Sequence, residues 1–232
     1  MLPDDLGLAR RDRLRSSRLM GLFEPARAGT EDTALQRLDQ ALPYLDVLQV
    51  RIKRDGRTSG PSDAAPLLAW TERVLERVRQ LPQDSRPLVL VNDRPDVVQA
   101  LQDVDGVHLG QDDAPPEAIR EFLGPDRLIG LSTHDLRQVA EAQTRPVDYL
   151  GFGPVFQSRT KGYTNGLGAE RALCAARASS LPVFPIGGID HTAAIELIEL
   201  GRAAVSSVLF ESEDPGGSAR ELGELLASEP LL

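Results

Sequence analysis

The chain has 232 residues, about the length of one (β/α)8 barrel and too short for two ordinary ones. Its 26 basic and 35 acidic residues leave a net charge of −9, which argues against a nucleic-acid or anionic-membrane surface. That balance still permits phosphate ligands, for which a few basic groups and backbone amides suffice.

Cys174 is the single cysteine, so an intrachain disulfide framework is excluded. With neither an apolar h-region nor a run of membrane length, the expected setting is cytoplasmic. Residues 1–17 are polar and Arg-rich, and read as an N-terminal arm or a short extra helix ahead of one domain over 18–232. Beyond them, short apolar runs alternate with amphipathic segments of helix length, the pattern of βαβ units.

Strands are predicted at Arg18–Phe23, Asp46–Arg51, Leu88–Val91, Gly106–Leu109, Leu128–Leu131, Tyr149–Phe152, Val183–Ile186 and Ala203–Val208. Their Val, Ile and Leu content suits parallel strands buried on both faces. Helices are predicted at Asp32–Leu42, Ala64–Gln80, Pro95–Leu101, Pro116–Phe122, Leu136–Gln143, Ala169–Arg177, Thr192–Leu200 and Ser218–Ala227. Asp190, and Ser62 or Asp63, stand where N-caps belong. About eight strand–helix repeats, with no Gly-rich dinucleotide turn after the first strand, predict an α/β fold of the closed (β/α)8 TIM-barrel type rather than an open sheet. Segments 54–61 and 157–168 are polar, Gly-bearing and long for βα connections, so they are candidate active-site loops.

The chemistry-bearing residues recur at strand ends, which in a barrel converge on one face. At the end of the second strand, alternation puts Gln49, Arg51 and Lys53 on one side, which either asks for an anion or is a solvated strand end with flexible basic residues. Asn92 and Asp93 follow the third strand as a phosphate donor and a Mg2+ ligand, or simply as helix caps. Asp112 follows the fourth as a second Mg2+ carboxylate or, like Asp113, as a helix cap, while His108 reads as a packed or surface-strand histidine rather than a ligand. Ser132 after the fifth strand suits a phosphate, and His134 is either a general base or a loop residue. Ser158, Arg159, Thr160 and Lys161 form a polar loop fit to cover an anion. Gly187-Gly188, directly before a helix, let a phosphate approach the backbone.

In order and spacing, these motifs resemble the thiamine-phosphate synthase and thiazole tautomerase family from about Gln49 to Val208. They comprise Gln-x-Arg-x-Lys, Val-Asn-Asp-Arg, Asp-Gly-Val-His-Leu-Gly-Gln-Asp-Asp, Gly-x-Ser-x-His, the Gly-Pro-Val-Phe loop ending in Thr-Lys, and Pro-Val-x-x-Ile-Gly-Gly-Ile. The resemblance implies a Mg2+-dependent transferase that joins hydroxymethylpyrimidine diphosphate to thiazole phosphate, releasing pyrophosphate. It implies that Gln49, Val50, Arg51, Ile52, Lys53, Asn92, Ser132 and Lys161 hold the pyrimidine diphosphate, with Arg51, Lys53 and Lys161 acting in catalysis. Asp93 and Asp112 would bind Mg2+. Ser158, Arg159, Thr160, Gly188, Val208 and Leu209 would hold the thiazole phosphate.

Three segments depart from the family pattern: Leu19–Phe23 stands where the family has a Tyr-Leu-Val-Thr-Asp-like strand and lacks its leading tyrosine, Gln157-Ser158 replace Pro-Thr, and Val208-Leu209-Phe210 replace a Val-Ser-Ala-Ile-like ending. The competing expectations are a thiazole tautomerase using His134 as base and a non-catalytic binder of thiamine precursors. Expected partners are small phosphate substrates, with no nucleic acid and no membrane; a homo-oligomer is left open.

Overall fold

The computed structural model describes residues 3–52, 64–157, 166–228 and 231. A helix α1 (Pro3–Ser16) precedes eight parallel strands: β1 (Leu19–Phe23), β2 (Val47–Val50), β3 (Leu88–Asn92), β4 (Gly106–Leu109), β5 (Leu128–Thr133), β6 (Tyr149–Phe152), β7 (Val183–Pro185) and β8 (Ala203–Val205). Each pairs with its sequence neighbour, β1 also pairs with β8, and an Ile186–Ala204 bridge joins the remaining edges. The ring is therefore a (β/α)8 barrel. Between and after the strands run α2 (Glu31–Ala41), α3 (Ala64–Gln80), α4 (Pro95–Ala100), α5 (Pro116–Leu123), α6 (Leu136–Ala142), α7 (Ala169–Ala178), α8 (His191–Ile195), α9 (Ser207–Phe210) and α10 (Pro215–Leu226).

The period-2 alternation of a strand sorts the apolar side chains into two sets. Leu48, Val50, Val89, Val91, Val107, Ile129 and Leu150 point outward and pack under the helices. Met20, Leu22, Val47, Leu88, Leu90, Leu128, Tyr149 and Phe184 point inward and fill the barrel. Tyr149 is the largest of the fully buried side chains, and its register partner is Gly130, where a Cβ would fall 2.0 Å from the ring. Glycine at that position is what admits the phenol.

The amino-terminal segment is a docked helix. Arg10 Nε bonds Asp105 Oδ1 and Arg11 Nε bonds Asp148 Oδ1, both at 2.7 Å, while Leu14 joins the inward cluster. Asp105 and Asp148 immediately precede β4 and β6, so α1 closes the amino end of the barrel, opposite the strand ends that carry the site. Asp46, Asp105 and Asp148 repeat one device: each accepts a backbone N–H from the preceding strand, at Leu19, Val89 and Ile129. Arg202 is also buried at this end and donates to the Ser17 carbonyl; burial pushes its guanidinium pKa down to about 10.

Several predicted boundaries move. The eighth strand ends at Val205 rather than Val208, because Ser206 starts the one-turn helix α9 and both Leu209 and Phe210 amides bond its carbonyl. The seventh helix ends at Ile195, after which Leu197 and Leu200 remain buried through tighter i→i−3 turns. The fifth strand runs two residues longer, to Thr133, whose hydroxyl donates to the Gly151 carbonyl on β6. The last helix starts at Pro215, capped by Asp214, although Gly216 and Gly217 weaken its local propensity. Asp190 caps α8 as expected, accepting from the Ala193 amide at 2.9 Å. Ser62, Asp63 and most of the two candidate loops lie outside the described residues.

Candidate active site

At the carboxyl ends of the strands the inward rows turn from apolar to polar. Alternation continues Val47 to Gln49, Leu90 to Asn92, Gly106 to His108 and Gly130 to Ser132, all on the inner side. Register places Asn92 beside His108, and His108 beside Gly130. Gln49, Arg51, Asn92, Asp93, His108, Ser132 and His134 all line one cleft of about 170 Å3, with Leu22 from β1 and Glu24 just after it on the wall.

Two atoms in this cleft point to a ligand. Gln49 is 1% exposed and Asn92 is 4% exposed, yet Gln49 Oε1 and Asn92 Nδ2 have no hydrogen-bond partner among the described residues. Burying an unpaired acceptor or donor costs about 1–3 kcal/mol, a penalty a bound molecule would remove. The acceptor asks for an amino-type donor, whereas the Asn92 amide asks for an oxygen.

Beneath them, Tyr149 O–H meets His108 Nδ1 at 2.8 Å, and His108 Nε2 meets Ser132 Oγ at 2.9 Å. Burial pushes the Tyr149 pKa well above that of an ordinary phenol, while its contact with Gln49 pulls in the other direction. A neutral phenol therefore supports the imidazole. His134 lines the cleft with Nδ1 held 2.6 Å from the Gly153 carbonyl, which can only accept. Nδ1 accordingly carries a proton.

Arg51 is ion-paired through Nη1 with Glu24 Oε1; both side chains are largely buried, at 12% and 14% exposure. Val50 belongs to the outer core and Ile52 packs against it, so only the backbone of these two residues is available to a ligand. Lys53, Ser158, Arg159, Thr160 and Lys161 lie outside the described residues.

Across the cleft, Gly187 and Gly188 adopt φ of 101° and 67°. A Cβ on Gly188 would stand 2.2 Å from the Gln157 carbonyl oxygen, so glycine is required on steric as well as conformational grounds. Val155 and Phe156 amides bond the Ile186 and Gly187 carbonyls, fastening this turn to the loop after β6. Ser206 and Ser207 line the same end of the cleft, and Ser206 Oγ donates to the Leu22 carbonyl at 2.9 Å. Leu209 is fully buried and Val208 packs against the core; their side chains do not face the cleft.

Asp93 lines the cleft in a left-handed conformation, φ 59°, with its amide bonded to the His108 carbonyl at 2.8 Å. Asp112 is exposed in the turn after β4, while its neighbour Asp113 accepts the Gly110 amide. No group of three or more His, Cys, Asp or Glu side chains fit to hold a metal occurs among the described residues. A cation here would draw on one or two carboxylates and on ligand oxygens, the coordination Mg2+ favours. That donor set fits Mg2+ and is too sparse for a site built wholly from protein.

Glu24, Ser206, Ser207 and the His108–Tyr149 pair were missed as site residues. The inward phase of His108 was readable from alternation, but the others depend on how β1, β6 and β8 approach their neighbours in space.

The fold is a (β/α)8 barrel whose cleft opens at the carboxyl ends of its strands, where active sites of this fold lie, bordered by the glycine turn after β7 and the serine turn after β8. A family model described as thiamine monophosphate synthase matches residues 22–209, and the chain belongs to that family. It is 38% identical to a thiamine-phosphate synthase of Synechococcus sp. (strain CC9605) over 94% of this chain; the chain spans 58% of that relative's length. A Mycobacterium sp. (strain KMS) thiamine-phosphate synthase is 39% identical over 79% of this chain and 81% of its own length. Among solved structures, a thiamine phosphate pyrophosphorylase from Pyrococcus furiosus superposes with a TM-score of 0.75 at 28% identity, covering 93% of this chain and 96% of that one.

Proposed function

We propose that the protein is a Mg2+-dependent thiamine-phosphate synthase, joining hydroxymethylpyrimidine diphosphate to thiazole phosphate. The observation that carries this reading is the buried pair Gln49 Oε1 and Asn92 Nδ2, without partners among the described residues and set beside Arg51 and Asp93 in one cleft. An aminopyrimidine bearing a diphosphate offers both the donor and the oxygens these atoms lack. Family membership and the names of the relatives favour the synthase over the tautomerase reading.

In this reading the exocyclic C–O bond breaks and the electron pair leaves with pyrophosphate. The electron-rich pyrimidine stabilises the resulting carbocation, and the thiazole nitrogen supplies the pair for the new C–N bond. No protein nucleophile is needed. The chain's task is to orient both partners and neutralise the leaving group. Gln49 orients the pyrimidine; Arg51, Asn92 and Ser132 hold the diphosphate, together with Lys53 and Lys161. Gly188 and the turn from Ser206 to Leu209 hold the thiazole phosphate, a task to which the family resemblance adds Ser158, Arg159 and Thr160. Asp93 and Asp112 would hold Mg2+, which when bound neutralises charge on the diphosphate. Substrates carrying several charges do not cross a bilayer unaided, which favours a cytoplasmic setting.

The test is product formation from the two substrates, with Mg2+ and with chelator. Thiamine phosphate formed only with Mg2+, and lost in Asp93→Ala, supports the reading. A folded protein that forms no product refutes it. Metal-independent isomerisation of the thiazole phosphate, abolished by His134→Ala, would replace it with the tautomerase.

A further inference from the structure

A carboxylate in a cleft meant for a diphosphate is out of place by simple electrostatics. Glu24 follows β1 and lines the cleft, and its side chain is only 14% exposed, so solvent does little to screen its repulsion of a phosphate anion. Its partner is Arg51, whose side chain is itself largely buried and which follows the adjacent strand β2. The two strand ends are fastened to each other, since the Arg51 amide donates to the Phe23 carbonyl at 2.9 Å.

Resting on the synthase reading above, we propose that Glu24 is a positioning residue. Before ligand arrives, it holds the Arg51 guanidinium at the cleft wall, in the orientation that the diphosphate requires. Three physical features of the pair fit this role. An arginine stem has several rotatable bonds, and freezing them on binding weakens affinity unless another group has already frozen them. The guanidinium carries five N–H donors in a planar fork, and the bond to Glu24 engages Nη1, so capacity remains for ligand oxygens. Glu24 also neutralises a buried cation in the ligand-free protein, which an unpaired arginine would otherwise resist by swinging outward.

Plain Coulomb repulsion would make removal of the Glu24 charge strengthen anion binding, whereas loss of a positioning partner for Arg51 weakens it. Calorimetric titration with inorganic pyrophosphate and Mg2+ would be run on the wild type, Glu24→Gln, Glu24→Ala, Arg51→Gln and the double variant Glu24→Ala/Arg51→Gln. If Glu24 positions Arg51, affinity falls in the order wild type, Glu24→Gln, Glu24→Ala, with roughly a tenfold loss in the last (about 1.4 kcal/mol). Glutamine is intermediate because its amide oxygen still accepts from Arg51. Glu24→Ala then has no effect in the Arg51→Gln background, because the group it acts through is gone.

Affinity that rises or stays level on removing the charge overturns the proposal. So does an equal loss in both Arg51 backgrounds, which would mean that Glu24 acts independently or only supports the fold. Titration with thiazole phosphate serves as an internal control, and a loss there matching the pyrophosphate loss also counts against positioning. If the folded wild type neither binds pyrophosphate nor forms product, the synthase reading itself has failed. If the wild type binds and Glu24→Ala binds as well, only the positioning role has failed.

Discussion

Gly188→Ala tests whether the turn after β7 is a phosphate cradle. The added methyl has two costs. At φ 67° an alanine is strained by about 1–2 kcal/mol, and its Cβ would lie 2.2 Å from the Gln157 carbonyl oxygen and 2.9 Å from the Phe156 carbonyl carbon. Both neighbours are backbone atoms, so no rotamer change relieves the contact. The turn or the loop after β6 must move by about an ångström to restore van der Waals contact. A misplacement of that size in a substrate-holding segment costs about 100-fold in rate.

The expected result is therefore a kcat/KM for thiazole phosphate down by about two orders of magnitude, with a stability loss of about 1–3 kcal/mol that leaves the protein folded. Gly124→Ala is the matched control: φ there is 78°, but nothing lies within 4 Å of the added carbon. It should lose about 1–3 kcal/mol in denaturant titration, since ψ there is −177°, and keep its steady-state kinetics. Unchanged thiazole-phosphate kinetics in folded Gly188→Ala would refute the cradle.

Three further outcomes follow from the packing. Gly130→Ala drives a methyl into the Tyr149 ring and should lower stability by about 1–3 kcal/mol, read from the denaturation midpoint. Leu14→Ala removes the side chain with which α1 joins the barrel interior; a loss of about 2–5 kcal/mol is expected in equilibrium unfolding, while an effect under 1 kcal/mol would mean that α1 is dispensable. Burial raises the Tyr149 pKa above its unfolded value near 10, so the folded chain holds that proton longer. Stability is full below pH 10 and declines above it by up to about 1.4 kcal/mol per pH unit. Ultraviolet titration of phenolate should show Tyr149 ionising only as the protein unfolds, and Tyr149→Phe should flatten the alkaline limb of the stability profile.

Much of the fold was legible along the chain because its signals are local. Alternation within each strand sets which residues face inward, so Gln49, Asn92, His108 and Ser132 could be phased onto the barrel interior from sequence alone. Strand spacing and the absence of a dinucleotide turn pointed to a closed ring, and Asp190 announced the start of α8 through the capping chemistry of one side chain. What remained hidden depended on contacts between segments remote in sequence. The docking of α1 on Asp105 and Asp148 spans 95 and 137 residues, and no local propensity encodes such a pairing. Nor does the chain around Glu24 reveal that its carboxylate meets Arg51, or the chain around Gly130 that a phenol will fill the space it leaves. The early end of β8 belongs with these, because the Ser206 hydroxyl bonds the Leu22 carbonyl only after the barrel has closed on itself. Periodicity thus determined the inward face of each strand, whereas closure of the ring decided which of those residues share a site.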